Sequence, residues 1–63
     1  MAEKKGKVEF YKDKKGEFRW NLLASNGRVI ADSGEGYASY DGCKKGFESV
    51  KVHVQDPEIV EKF

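Results

Sequence analysis

Two short loops that end on glycine constrain this chain more than any other feature in it. Lys14-Lys15-Gly16 and Ser25-Asn26-Gly27 each separate segments in which apolar and polar residues alternate. Each fits a three-residue hairpin connection, a type I turn closed by glycine in the left-handed region where a side chain would be strained. Before the first loop, Val8 and Phe10 alternate with Lys7, Glu9 and Tyr11. After it, Phe18, Trp20, Leu22 and Ala24 alternate with Glu17, Arg19, Asn21 and Leu23. That two-residue period and its aromatic enrichment belong to half-buried strands. A third, short strand is read over Arg28 to Asp32, so the first half of the chain is expected to form an antiparallel meander.

Loop length sets the register, and a one-residue slip would turn the apolar set to solvent. Three-residue loops place Phe10 opposite Trp20, Val8 opposite Leu22, and Leu22 opposite Ile30. One face then carries Val8, Phe10, Phe18, Trp20, Leu22 and Ile30, enough apolar area to seat a helix. A two-residue Asn26-Gly27 turn is the rival for the second hairpin and pairs Leu23 with Ile30 instead. The three-residue reading is preferred because it solves both hairpins alike and gathers the larger apolar residues on one side.

Ser33-Gly34-Glu35-Gly36 breaks the strand pattern, Ser39 is placed to cap a helix, and Asp41 suits the positive end of its dipole. Tyr40, Cys43, Phe47, Val50 and Val54 then recur at gaps of three or four, one stripe at helical period. The β-branched run Val52-His53-Val54 favours fraying before Asp56-Pro57 stops the helix. Gly42 and Gly46 lie on one flank, and each costs about 1 kcal/mol relative to alanine. Close approach of the helix backbone to the sheet or to a second helix is the expected compensation, and a helix only marginally stable by itself is the alternative. Glu58 to Phe63 reads as a fourth strand, with Ile59 and Phe63 on one side of it. The fold class is therefore α+β in the order β-β-β-α-β.

A chain of 63 residues has room for one domain, taken as residues 1–63, and such a chain removes only roughly 60% of its unfolded surface from water. With 38% hydrophobic and 37% charged residues it reads as a soluble globular domain. No apolar run is long enough to span a membrane, and the polar, lysine-bearing Met1 to Lys7 does not open a secretory leader, so a cytoplasmic location is expected. Cys43 is the single cysteine and cannot form an internal disulfide. Apolar burial at about 25 cal/mol per Å2 against about 1.5 kcal/mol of ordering cost per residue comes out near zero at this size, which leaves oligomerisation as the staple. A terminal strand after a helix can add to the edge of a partner's sheet, so Ile59, Val60 and Phe63 are the candidate dimer interface.

Residues that could carry chemistry are few. Cys43 and His53 are about 15 Å apart along one helix and cannot form a nucleophile and base within the chain. Cys43 reads as a small buried hydrophobe and His53 as a polar residue favoured at the helix end. No spacing gathers three or four metal ligands, so neither metal nor cofactor is expected. Gly34-Glu35-Gly36-Tyr37-Ala38-Ser39 only mimics a phosphate loop, since Ser39 replaces the third glycine and no parallel βαβ unit surrounds it. The net charge is +1, with six lysines against three acids in residues 1–15. Lys4, Lys5, Lys12, Lys14 and Lys15 offer a modest basic end, and the outer sheet face of Glu9, Tyr11, Glu17, Arg19, Asn21, Leu23 and Val29 holds one aromatic and mixed charge. Nucleic-acid binders show more than this.

The runs Glu17-Phe18-Arg19-Trp20-Asn21-Leu22, Ala24-Ser25-Asn26-Gly27-Arg28-Val29-Ile30-Ala31, Ser33-Gly34-Glu35-Gly36-Tyr37 and Lys45-Gly46-Phe47-Glu48-Ser49-Val50 strongly resemble the YegP-like family of small uncharacterised proteins, over roughly residues 7–54. The resemblance implies a unit of three strands, a helix and a final strand, present as a tandem repeat or as one copy that pairs with itself, with C-terminal strands exchanged into a single sheet. For this one-copy chain it implies a homodimer. Leu23, where lysine or arginine is commoner, and Phe47, where a smaller aliphatic residue is usual, depart from the pattern at the outer face and in the helix packing. The family has no established activity, so no functional residue carries over. The expectation is a non-enzymatic, homodimeric binding or interaction module with no membrane partner. Weak nucleic-acid binding through the lysine-bearing hairpin and outer sheet face is the alternative, and an enzyme with a site shared across the dimer is disfavoured by the lone His and Cys.

Overall fold

The computed structural model describes residues 5–63; Lys4, counted above with the basic end, lies outside them together with the start of the stretch read as leaderless. Three strands, β1 (Lys7–Lys12), β2 (Phe18–Leu23) and β3 (Val29–Asp32), precede one helix, α1 (Tyr40–His53). The sheet is antiparallel in the order β1-β2-β3.

The first hairpin keeps the expected register, with Phe10 opposite Trp20 and Val8 opposite Leu22. Gly16 closes the loop at φ 84°, and its N–H donates to the Asp13 carbonyl at 3.0 Å. Asp13 organises the tip. Its Oδ1 accepts from the N–H groups of Lys15 at 2.9 Å and Glu17 at 3.0 Å, while Oδ2 accepts from Arg19 Nε at 2.7 Å. The Arg19 hydrogen bond, then the Glu17 N–H, hold the Asp13 carboxyl below the usual aspartate range.

The second hairpin departs from both registers read above. Its loop forms as expected, with Gly27 at φ 89° and Ala24 N–H donating to the Arg28 carbonyl at 2.8 Å, and Leu23 faces Val29. The register then shifts, so that Leu22 faces Ala31 and Ile30 faces neither Leu22 nor Leu23. Ile30 is the extra residue of a β-bulge, which bends an edge strand and leaves one residue unpaired. At 63% exposure it is removed from the expected core face.

Beyond β3 the chain turns aside through Ser33–Gly36 and comes back at Tyr37, which exchanges two backbone hydrogen bonds with Phe18, at 2.8 and 2.9 Å. Tyr37 thus occupies the β3 position further along β2. Ser39 caps α1 by accepting from Gly42 N–H at 3.1 Å, as read from the sequence. The flank of Gly42 and Gly46 is a site of close packing, but what approaches it is the Tyr37 ring rather than the sheet or another helix. A Cβ on Gly46 would lie 2.8 Å from Tyr37 Cζ. The helix continues through Val52 and His53, and Val54 closes it by donating to the Val50 carbonyl at 2.9 Å.

The helix lies across β1 and β2. Phe47 meets Trp20 edge-on with ring centroids 5.2 Å apart and Phe10 at 6.0 Å, while Tyr40 meets Phe10 at 5.4 Å and Phe18 at 6.2 Å. These edge-to-face pairs contribute about 0.5–1.5 kcal/mol each beyond their buried area. Complete burial is confined to Trp20 and Cys43 among the described hydrophobic residues, at 3% and 0% exposure. Val8, Phe10, Phe18 and Leu22 are half-buried. Trp20 Nε1 is buried with no acceptor. The fourth strand expected over Glu58–Phe63 does not form in the single chain, where residues 54–63 carry no strand.

Candidate association interface

The residues read as a dimer interface lie beyond a sharp turn at Asp56, whose φ is +52° ahead of Pro57. Ile59 is 82% exposed, Val60 63% and Phe63 106%. Their own chain gives them no cover. The sequence marked this segment as apolar with no obvious place in the core, and the fold leaves it there.

Other apolar side chains share that exposure. Val50, Val52 and Val54 stand out from the last turns of α1, and Val29 and Ile30 from β3. Val50 and Val54 were legible as the end of the helical stripe, while Val52 lies off it. Ile30 was assigned to the core and only the bulge explains its release. The helix sits over β1 and β2, so the inner side of β3 has no such roof.

The polar groups are arranged differently. On the sheet face away from the helix, Arg19 is paired with Asp13 at 2.7 Å and Lys7 with Glu9 at 3.6 Å, so neighbouring charges offset one another. Lys14 and Lys15 are exposed at the first hairpin tip, whereas Lys12 holds its ammonium 5.2 Å from the Phe18 ring centroid, a cation–π contact. The glycine loop is structural. The Gly34 N–H donates to Asp32 Oδ1 at 2.9 Å, and a Cβ on Gly36 would lie 2.7 Å from Glu17 Cβ. The Asp32 carboxylate already occupies the donor an anion would need.

Cys43 is sealed under the helix, and burial pushes its thiol up from the ordinary value. A thiolate is the reactive form, so this environment makes the sulfur inert. His53 is exposed and bonds back within the helix, with Nδ1 2.8 Å from the Ser49 carbonyl. Among the described residues no cavity opens and no three metal-ligating side chains converge. No helix among them is long and apolar enough to cross a membrane.

Comparison with known proteins places these features in a wider group. The family model of DUF1508, a domain of unknown function, matches residues 13–61. A UPF0339 protein of Treponema denticola is 52% identical over 56 residues, which cover 89% of this chain and 95% of that one. A UPF0339 protein of Stutzerimonas stutzeri, described as in the ptx operon 5' region, is 47% identical over 57 residues, 90% of this chain but 50% of its own length. The NMR solution structure of a protein from Haloferax volcanii superposes with a TM-score of 0.83 at 43% identity, covering 92% of this chain and 97% of the other.

Proposed function

Since the chain belongs to the DUF1508 family, the small uncharacterised YegP-like group, we propose that it works in the cytoplasm as a homodimeric binding or interaction module, without catalysis, with Ile59, Val60 and Phe63 in the dimer interface. The exposed apolar segment Ile59–Phe63 carries this reading, because a core whose fully buried side chains are Trp20 and Cys43 leaves much apolar surface for a second chain to cover. The Stutzerimonas relative, twice the length of the region it shares with this chain, has room for two such units in one polypeptide, as a paired unit requires. The inert setting of Cys43 and the self-bonded His53 favour binding over nucleophilic chemistry.

Light scattering behind a sizing column at micromolar concentration tests the assembly. The expected mass is twice the 7.1 kDa of one chain, and a sharp peak at the single-chain mass overturns the dimer. Exposed Lys14 and Lys15 favour a second reading, weak nucleic-acid contact through the first hairpin tip and the outer sheet face. Phosphate contacts weaken steeply with salt, so an oligonucleotide titration that shows no binding at about 50 mM salt ends it.

A further inference from the structure

The two edges of the sheet are unequal. β3 has four residues, carries the bulge at Ile30, and is interrupted by the Ser33–Gly36 excursion before Tyr37 resumes beside Phe18. Bulges and breaks of this kind blunt an edge against strand addition. β1 has six residues paired with β2 in unbroken register. Asp13 N–H donates to the Glu17 carbonyl, and alternate residues of an antiparallel ladder bond to the same side. Tyr11, Glu9 and Lys7 therefore face β2, while Val8, Phe10 and Lys12 direct their backbone N–H and C=O groups to the open side. No described residue pairs with that side.

We propose that this outer edge of β1 is the line on which residues 58–63 of a second copy pair as an added strand. The proposal rests on the homodimer reading and says where the dimer closes. Glu58–Phe63 is as long as β1, and it contains three uncovered apolar side chains. Val8 and Phe10 are only half-buried on the helix-bearing face beside that edge. A strand laid against β1 places alternate side chains next to Val8 and Phe10, and its backbone supplies the partners their N–H and C=O groups lack.

Amide hydrogen exchange on the wild-type protein tests this, at a concentration where light scattering reports the doubled mass. The N–H groups of Val8, Phe10 and Lys12 are expected to exchange at least about tenfold more slowly than those of Val29 and Asp32, which face outward from β3. In a mixture of labelled and unlabelled chains, isotope-filtered NOEs are expected between β1 and residues 59–63. A dimer with fast exchange at Val8, Phe10 and Lys12 overturns the edge assignment and leaves the homodimer standing. Protection with NOEs from β1 to any other segment overturns the occupant. A single-chain mass fails the homodimer reading, and this inference with it.

Discussion

Gly16 and Gly27 close their hairpins at φ 84° and 89°, each after a three-residue loop held by a side-chain oxygen, Asp13 Oδ1 in the first and Asn26 Oδ1 in the second. Yet the strands that leave them part company. From the first loop, β1 and β2 run in register for their whole length. From the second, the register survives as far as Leu23 and Val29, and then slips at Ile30. A loop dictates the pairs next to it, and cross-strand packing dictates those further away. Phe10 and Trp20 are held under Phe47, so a slip in the first hairpin would pull aromatic rings out of the core. Ile30 has nothing above it, and a slip there loses little.

Removing the two apolar side chains should expose that asymmetry most strongly. Trp20→Ala is expected to cost about 3–5 kcal/mol, comparable to the whole stability of a core this size. Ile30→Ala should stay within about 0.5 kcal/mol when the chain is folded alone, as exposed positions do. Urea unfolding of both variants at dilutions below dimer formation gives the contrast. Comparable losses would show that Ile30 is packed and that the bulge does not release it.

The next effect concerns what holds the β3 side in place of Ile30. Gly46→Ala sets a methyl against the Tyr37 ring and is expected to destabilise by about 1–3 kcal/mol. In a Tyr37→Ala background the same change should instead stabilise, by up to about 1 kcal/mol, because alanine is the better helix former. An equal cost in both backgrounds would acquit the ring.

Acid should separate the two hairpin tips more gently. Asp13 has a folded pKa below its ordinary value, so its contribution is fully present above about pH 4 and is lost as pH falls through the lowered value. Asn26 does not titrate. Amide shifts followed from about pH 5 to about pH 2 should therefore show the Lys15 N–H moving with an acidic midpoint while the Arg28 N–H stays level, and Asp13→Asn should abolish the movement. Parallel movement of both amides would remove Asp13 as the cause.

The first hairpin's register, the Ser39 cap and the helix stripe were legible because each depends on residues near in sequence. Asp13 was legible in principle as well, since aspartate opening a type I turn with glycine at its fourth position is a turn signal in its own right. The bulge was not, because it reflects a helix that covers β1 and β2 but leaves β3 bare. Nor was the Tyr37 return to Phe18, which explains Gly46 only once the chain has folded back. Ile59, Val60 and Phe63 were legible as an apolar segment without a place in the core, but the destination of a segment that leaves its own chain is written in no single copy.

Trp20 is the only tryptophan in the chain, and its buried indole N–H has no acceptor. An indole in that setting emits at short wavelength, and water reaching it shifts the emission to the red and dims it. The protein therefore contains its own optical gauge at the point where sheet and helix meet. Loosening of the helix or entry of an acceptor from another molecule can be followed on unlabelled material at nanomolar dilution.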